Sequence, residues 1–426
     1  MLAIYRCEYA WLPEGVLADV EIRVDNGYIR SVVPGTKGKI NRKGLTIPGF
    51  ANAHSHAFHR ALRGRTHGGS GDFWTWRDQM YHVAAKLNPE SYYRLARAAY
   101  AEMALAGITS IGEFHYLHHA PGGARYNDPN AMGHALIRAA HEAGIRITLI
   151  DTLYLQGTVD GGELNEIQKR FSDGDADAWA ERVAGIIGTR IGAAVHSVRA
   201  VPPSQMRPVA EFDGPIHAHV SEQRAENEAC QALHHCSPVE LLSERGVLHE
   251  GFTAVHATHL TSSDISLLGT GYTCFCPTTE RDLGDGIGPA RALKEAGSQL
   301  TLGSDSHAII DFFEESRALE LDERLASEQR GRFSSEELMA AATKSGHESL
   351  GWTDAGSIAP GQRADLVTVS LNTPRTAGTD PSGILFTAST CDITHVTVDG
   401  REIVRDGKHV EIDVPSELRE AIWALY

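Results

Sequence analysis

A chain of 426 residues with 42% hydrophobic and 22% charged content can bury one large α/β domain plus a smaller unit, and it has neither a disordered nor a fibrous composition. The formal net charge of −16 argues against a nucleic-acid partner or an anionic membrane, both of which need clustered Lys and Arg. It leaves a small-molecule anion open, because salt screens diffuse surface charge beyond about 8–10 Å.

Along the chain, the opening run Met-Leu-Ala-Ile-Tyr-Arg-Cys-Glu-Tyr-Ala meets charge before a signal-peptide core could form. No window approaches the roughly 18 apolar residues of a membrane span. Six cysteines, at 7, 230, 236, 274, 276 and 391, lack metal-ribbon spacing and are too sparse for a disulfide framework, so reduced thiols and a cytoplasmic location are expected. Residues 20–24 alternate as a strand before the turn Asp25-Asn26-Gly27, and an extended apolar run at 45–50 leads into His54-Ser55-His56. From about 48 to 350, β-branched runs alternate with Ala-rich helical stretches. The strands are expected at 108–115, 146–153, 191–198, 216–220, 252–256, 272–276 and 300–304; with the run into His54 they make eight. Helices at 91–106, 131–143 and 314–325 fit between them, so the economical fold is a (β/α)8 barrel of the TIM type. Residues 395–400 are again β-rich with a turn. The two ends are therefore expected to share one discontinuous β-sandwich domain, 1–47 with 354–426, around a barrel at 48–353. By alternation Cys274 and Cys276 share one barrel face and read as buried packing, not as ligands.

The chemistry concentrates where barrel strands end. Alternate strand residues share a face, so His54 and His56 can reach one ion. Among 22 histidines that spacing alone says little; its place at the end of the first barrel strand gives it weight. Groups distant in sequence meet at the C-terminal rim of such a barrel. There, His219 in His-Val-Ser-Glu, His256, and Asp305 in Gly-Ser-Asp-Ser-His allow one ion to gather three imidazoles and a carboxylate, the donor set of a metal-dependent hydrolase. His217 shares the face of His219 by alternation, so strand geometry alone leaves the two open.

Pro-Gly-Phe-Ala-Asn-Ala-His-Ser-His at 48–56 resembles the opening metal motif of the amidohydrolase superfamily, and the run Gly-Ser-Ile-Ala-Pro-Gly-Gln-Arg-Ala-Asp-Leu-Val at 356–367 resembles its return into the small domain. Phe73-Trp74-Thr75-Trp76-Arg77, Met80-Tyr81, His196-Ser197-Val198-Arg199, Cys276-Pro277-Thr278-Thr279-Glu280 and Leu283-Gly284-Asp285-Gly286 are similar to the formimidoylglutamate deiminases within it, over nearly the whole chain. The resemblance implies hydrolysis of N-formimino-L-glutamate to N-formyl-L-glutamate and ammonia, in histidine degradation, by a homodimer. It implies His54, His56, His219 and Asp305 as metal ligands, with His219 chosen over His217 also for its His-x-x-Glu spacing. The fourth strand, 191–198, holds no lysine to be carbamylated as a bridge between two ions, so one ion per chain is expected. Zinc suits the set, and iron and manganese accept the same donors.

Asp305 would take the proton of the attacking water. Glu222, read as one helical step beyond His219, would protonate the departing nitrogen; the alternative is a surface glutamate. His256 would orient the nucleophile and stabilise developing charge; the alternative is a buried, satisfied histidine. Arg77, Arg199, Tyr116, His196 and His59 match substrate-binding positions, and two arginines suit the carboxylates of a glutamyl group. Arg77 sits in an aromatic segment read as irregular, where packing on Trp74 or Trp76 is the alternative. The chain departs from the family run His-x-His-Ala-Phe-Gln-Arg at His59, which stands for glutamine; a ring nitrogen cannot donate and accept as one amide does. Competing readings are a deaminase or chlorohydrolase of a heteroaromatic base such as guanine, another formimino or guanidino acid, and an inactive scaffold, which the complete ligand set argues against.

Overall fold

The computed structural model describes residues 2–66 and 73–426, and of Phe73 and Trp74 the backbone alone. Its strands fall into two sheets with different burial patterns. The N-terminal strands are β1 (Ala3–Leu12), β2 (Gly15–Asp25), β3 (Tyr28–Val33) and β4 (Arg42–Pro48). In β2, Val20, Ile22 and Val24 are buried while Arg23 is exposed, the alternation of a sheet with one face on a core. The barrel strands are β5 (Phe50–Ser55), β6 (Ile108–His115), β7 (Arg146–Leu153), β8 (Arg190–Val195), β9 (Ile216–Val220), β10 (Phe252–His256), β11 (Tyr272–Phe275) and β12 (Gln299–Leu302). Of these, β5, β6, β7, β9 and β10 are buried along their whole length, as strands covered on both faces must be. The chain closes with β13 (Leu366–Val369), β14 (Ile393–Val398), β15 (Arg401–Arg405) and β16 (Lys408–His409).

Strands β5 to β12 lie side by side in chain order, every pairing parallel. A Ser55–Asp305 bridge joins the two ends of this sheet, with Asp305 N–H donating to His54 O at 3.1 Å. The fold is a (β/α)8 barrel. Gly303 permits the closure: a Cβ there would lie 2.8 Å from both the Cβ and the carbonyl oxygen of His54. The closing bridge thus places Asp305 against the His-x-His pair. The second sheet runs β16-β15-β14-β13-β4-β1-β2-β3, joining both chain ends through antiparallel β4 and β13.

Several boundaries differ from the sequence reading. The apolar run at 45–50 is not one barrel strand: it divides at Gly49, whose N–H donates to Asp365 O at 3.0 Å, and β4 belongs to the open sheet. Strands β8 and β12 end before His196 and Asp305, leaving those residues at the rim. Arg77 lies on the helix Phe73–Lys86, so its segment is regular. Glu222 sits in the turn between β9 and the helix Arg224–His234, where Ser221 takes a φ of 52°, not on a helix with His219. Among the described residues no helix is long and apolar enough to cross a membrane.

Candidate active site

Strand ends deliver the donors. His54 and His56 come from the end of β5, His219 from β9 and Asp305 from the loop after β12, and one donor atom of each lies within 4.8 Å of the others. His54 Nε2 and His56 Nε2 are 3.3 and 3.4 Å from Asp305 Oδ1, and His219 Nε2 is 3.2 Å from His54 Nε2. The Nδ1 atoms of His56 and His219 each lie 2.9 Å from a carbonyl oxygen, of Phe114 and His196. A carbonyl only accepts, so those nitrogens carry the protons and both Nε2 atoms present lone pairs inward. Lone pairs facing each other and an acceptor-only carboxylate call for a cation among them. Burial, reinforced by the neighbouring histidines, holds His54 and His219 well below the ordinary imidazole value and His56 at about 3, so the rings stay neutral as metal binding requires. His217, on the same face of β9, is buried and stands outside this group.

The rim beside the donors is strained. Ser221, His256, Ala257, Asp305 and His307 all have positive φ, between 37° and 69°, a conformation that non-glycine residues hold only where surrounding structure enforces it. His256 Nε2 lies 3.8 Å from Glu222 Oε1 and 3.8 Å from Asp305 Oδ2, and its Nδ1 lies 3.4 Å from Glu280 Oε1. Burial works against its charge, but these carboxylates prevail and raise it to about 10. Cys276 is also within reach of His256 and Asp305; burial pushes its thiol well above the ordinary value, and a protonated thiol is a poor ligand.

A cavity of about 450 Å³ opens over the rim. All five residues expected to bind substrate, His59, Arg77, Tyr116, His196 and Arg199, line it together with Glu222, His256 and Asp305. His59 Nε2 is 3.1 Å from Tyr116 Oη, and Arg77 lies over the Tyr81 ring at 5.5 Å. Arg199 Nη2 donates to Glu222 Oε2 at 2.9 Å, and its Nε lies 3.7 Å from Glu226 Oε2. Sequence reasoning missed Glu226, which lies in the first turn of the helix that follows Glu222 and which burial raises to about 7. It also missed Tyr154 and Gln168, joined at 2.9 Å in a wall for which no motif spoke. Asp285, raised to about 8 by burial and then by Glu222, accepts from Gln223.

The sequence pattern of the amidohydrolase family matches residues 45–403. The formimidoylglutamate deiminase of Pseudomonas aeruginosa is 36% identical over 437 aligned positions, covering 96% of each chain. A 5-methylthioadenosine/S-adenosylhomocysteine deaminase of Natronomonas pharaonis is 28% identical over 391, covering 88% of this chain and 85% of its own. Among solved structures, an amidohydrolase from Brucella melitensis matches with a TM-score of 0.91 at 31% identity, over 99% of each chain.

Proposed function

The chain belongs to the amidohydrolase family, as a metal-dependent hydrolase of a non-peptide C–N bond, and from that premise we propose that it hydrolyses N-formimino-L-glutamate to N-formyl-L-glutamate and ammonia. The observation that supports this is the cavity itself, which Arg77 and Arg199 line together with His56, His219 and Asp305 of the cluster. Zinc, one per chain, a place in histidine degradation, a cytoplasmic location and a homodimer belong to the same proposal and rest on the resemblance.

When bound at His54, His56, His219 and Asp305, a divalent ion lowers the pKa of a water it holds from about 15.7 towards about 7. With such an ion in place, Asp305 would take the proton of the attacking water as the oxygen adds to the formimino carbon. Glu222, taking that proton over from Asp305, would pass it to the terminal nitrogen; as the C–N bond breaks the adduct's hydroxyl proton goes to Asp305, the formyl carbonyl forms and ammonia leaves. His256, kept cationic by Glu222, Glu280 and Asp305, counters the negative charge developing on the oxygen. Arg77 and Arg199 hold the carboxylates, and Tyr116, His196 and His59 line the path of the formimino arm.

A second reading, deamination of a purine base or nucleoside, draws on the aromatic wall of Trp76, Tyr81, Tyr116, Tyr154 and Phe171 and on the nucleoside deaminase relative. Ammonia release across formimino-glutamate, formimino-aspartate, formimino-glycine, guanidino acids and nucleobases decides between them. The highest kcat/KM is expected on formimino-glutamate, and a preference for a base overturns the proposal.

A further inference from the structure

A fully buried carboxyl that the reaction does not use, Glu113, stands behind the metal ligands. Its neighbour Phe114 packs on the rings of His54 and His219 at 5.1 and 4.5 Å. Alternation therefore turns Glu113 to the other face of β6, beside Tyr92 and Tyr100 of the helix Pro89–Leu105. There Glu113 Oε1 accepts from Ala57 N–H at 2.6 Å, and Oε2 accepts from Ser55 Oγ at 3.0 Å, so one carboxyl grips the chain on both sides of His56. Ser55 Oγ in turn lies 2.9 Å from His307 Nε2, two residues past Asp305. The backbone bridge between these segments loosens towards the rim: Asp305 N–H donates to His54 O at 3.1 Å, but His56 N–H to Asp305 O only at 3.4 Å. Asp305 and His307 also have φ of 37° and 57°, which contacts from outside the loop must hold.

We propose that Glu113 is a positioning residue for the metal-dependent hydrolysis. Through Ala57 and Ser55 it fixes the end of β5 that carries His54 and His56, and through Ser55 and His307 it fixes the loop that carries Asp305. Three of the four ligands thus depend on one side chain that lies outside the cavity lining. The assignment does not rest on the identity of the substrate. Two donors two residues apart call for two polar atoms on one rigid plane, which a carboxyl or a carboxamide offers and a single hydroxyl does not. Burial lifts this carboxyl to about 8, but the clamp does not depend on its charge. Ionised, it accepts from Ser55, which accepts from His307 Nε2–H; protonated, it donates to Ser55, which donates to His307 Nε2, while Oε1 keeps the Ala57 N–H in both states. Glutamine reproduces the second pattern, its oxygen taking Ala57 N–H and its amide N–H donating to Ser55. Leucine, of similar size, makes neither bond.

The test reads the metal, not turnover. Zinc affinity is measured by competition with a chromophoric chelator, and ligand geometry by the visible spectrum of the cobalt(II)-loaded protein. Glu113→Leu is expected to weaken zinc by at least about tenfold, the scale on which groups that orient metal ligands act, and to shift the cobalt bands. Glu113→Gln should keep the affinity and bands of wild type. Ser55→Ala, which cuts the path to His307 but leaves the Ala57 bond, should fall between them. Asp151→Asn, a change at a buried carboxylate away from the cluster, should move neither readout, which separates positioning from a general loss of stability. Should Glu113→Leu fail to fold, the cobalt spectrum of Ser55→Ala decides. Wild-type affinity and bands in Glu113→Leu or Ser55→Ala, equal losses in Glu113→Gln and Glu113→Leu, or an equal loss in Asp151→Asn overturn the inference alone. A wild-type protein that binds no zinc overturns the metal reading and this inference with it.

Discussion

Two buried groups in this barrel each bring imidazoles and a carboxylate within 4.8 Å, His54/His56/His219/Asp305 and His115/His118/Asp151, yet they are chemically opposite. In the second, Asp151 accepts from Arg182 Nη2 and Nη1 at 2.8 and 2.9 Å and from Trp179 Nε1 at 2.9 Å, and His118 Nε2 donates to Thr152 O at 2.9 Å. Its carboxylate charge is matched by the guanidinium, although Nδ1 of His115 and of His118 has no hydrogen-bond partner. In the first, the ring nitrogens beside Asp305 among the described residues are those of His54, His56 and His256, and His56, its Nδ1 donating to Phe114 O, turns a lone pair towards it. What separates the two groups is therefore the charge at the carboxylate, matched by a guanidinium at Asp151 and by no Lys or Arg among the described residues at Asp305.

That contrast can be broken most directly by counting ions. The protein is expected to carry about one divalent ion per chain, to lose ammonia release on chelation, and to lose the ion in His56→Ala but not in Asp151→Asn, as read by elemental analysis. Two ions per chain, or an ion that survives His56→Ala, would end it. Next in size is stability. Asp151→Asn removes one of the two carboxylates that hold the buried Arg182, leaving Asp173 at 2.9 Å as the other, and should cost about 3 kcal/mol in denaturant unfolding, the low end for breaking a buried pair, with unchanged metal content. Its pH dependence sharpens the point. Burial works to raise the Asp151 carboxyl, but Arg182 and then His118 prevail and hold it below the usual range. A depressed carboxylate gives stability that is full above its unfolded value, about 3.9, and is lost as pH falls through the folded one. The gap between wild type and Asp151→Asn should therefore be constant near neutrality and shrink below about pH 4. Smallest is Glu222→Gln, which should keep the ion and the fold but lower kcat by at least about 100-fold, close to 2.7 kcal/mol. Near-normal turnover there would falsify its assignment to proton transfer.

The sequence exposes what depends on local spacing. His54 and His56 share a face because a strand repeats every two residues, and the eight β-branched runs announce a barrel whose rim gathers distant residues. It hides what depends on which side chains meet across the rim. Arg199 and Glu222 are 23 positions apart, and nothing in either neighbourhood says that they face one another. The division at Gly49 was invisible because both halves of that run are apolar; only the competing partners, β13 for one half and β6 for the other, separate them. Arg77 looked irregular because its aromatic neighbours mask a helical period, and Tyr154, just past β7, meets Gln168 at the start of the 3-10 turn Gln168–Phe171, which is too short for a periodicity to be read.

The seam between β4 and β13, where Thr46 and Thr368 sit opposite each other with their hydroxyls 3.2 Å apart, has a meaning in time as well as in space. Translation runs at about 5–20 residues per second, so the roughly 320 residues that separate Pro48 from Leu366 take about 15–65 s to emerge. Throughout that interval the edge of β4 that β13 will cover is an open row of backbone donors and acceptors, a template for any other extended chain nearby. The nascent chain is thus most exposed to aggregation while its barrel is being made, and slowing synthesis between these two strands lengthens the hazard in proportion.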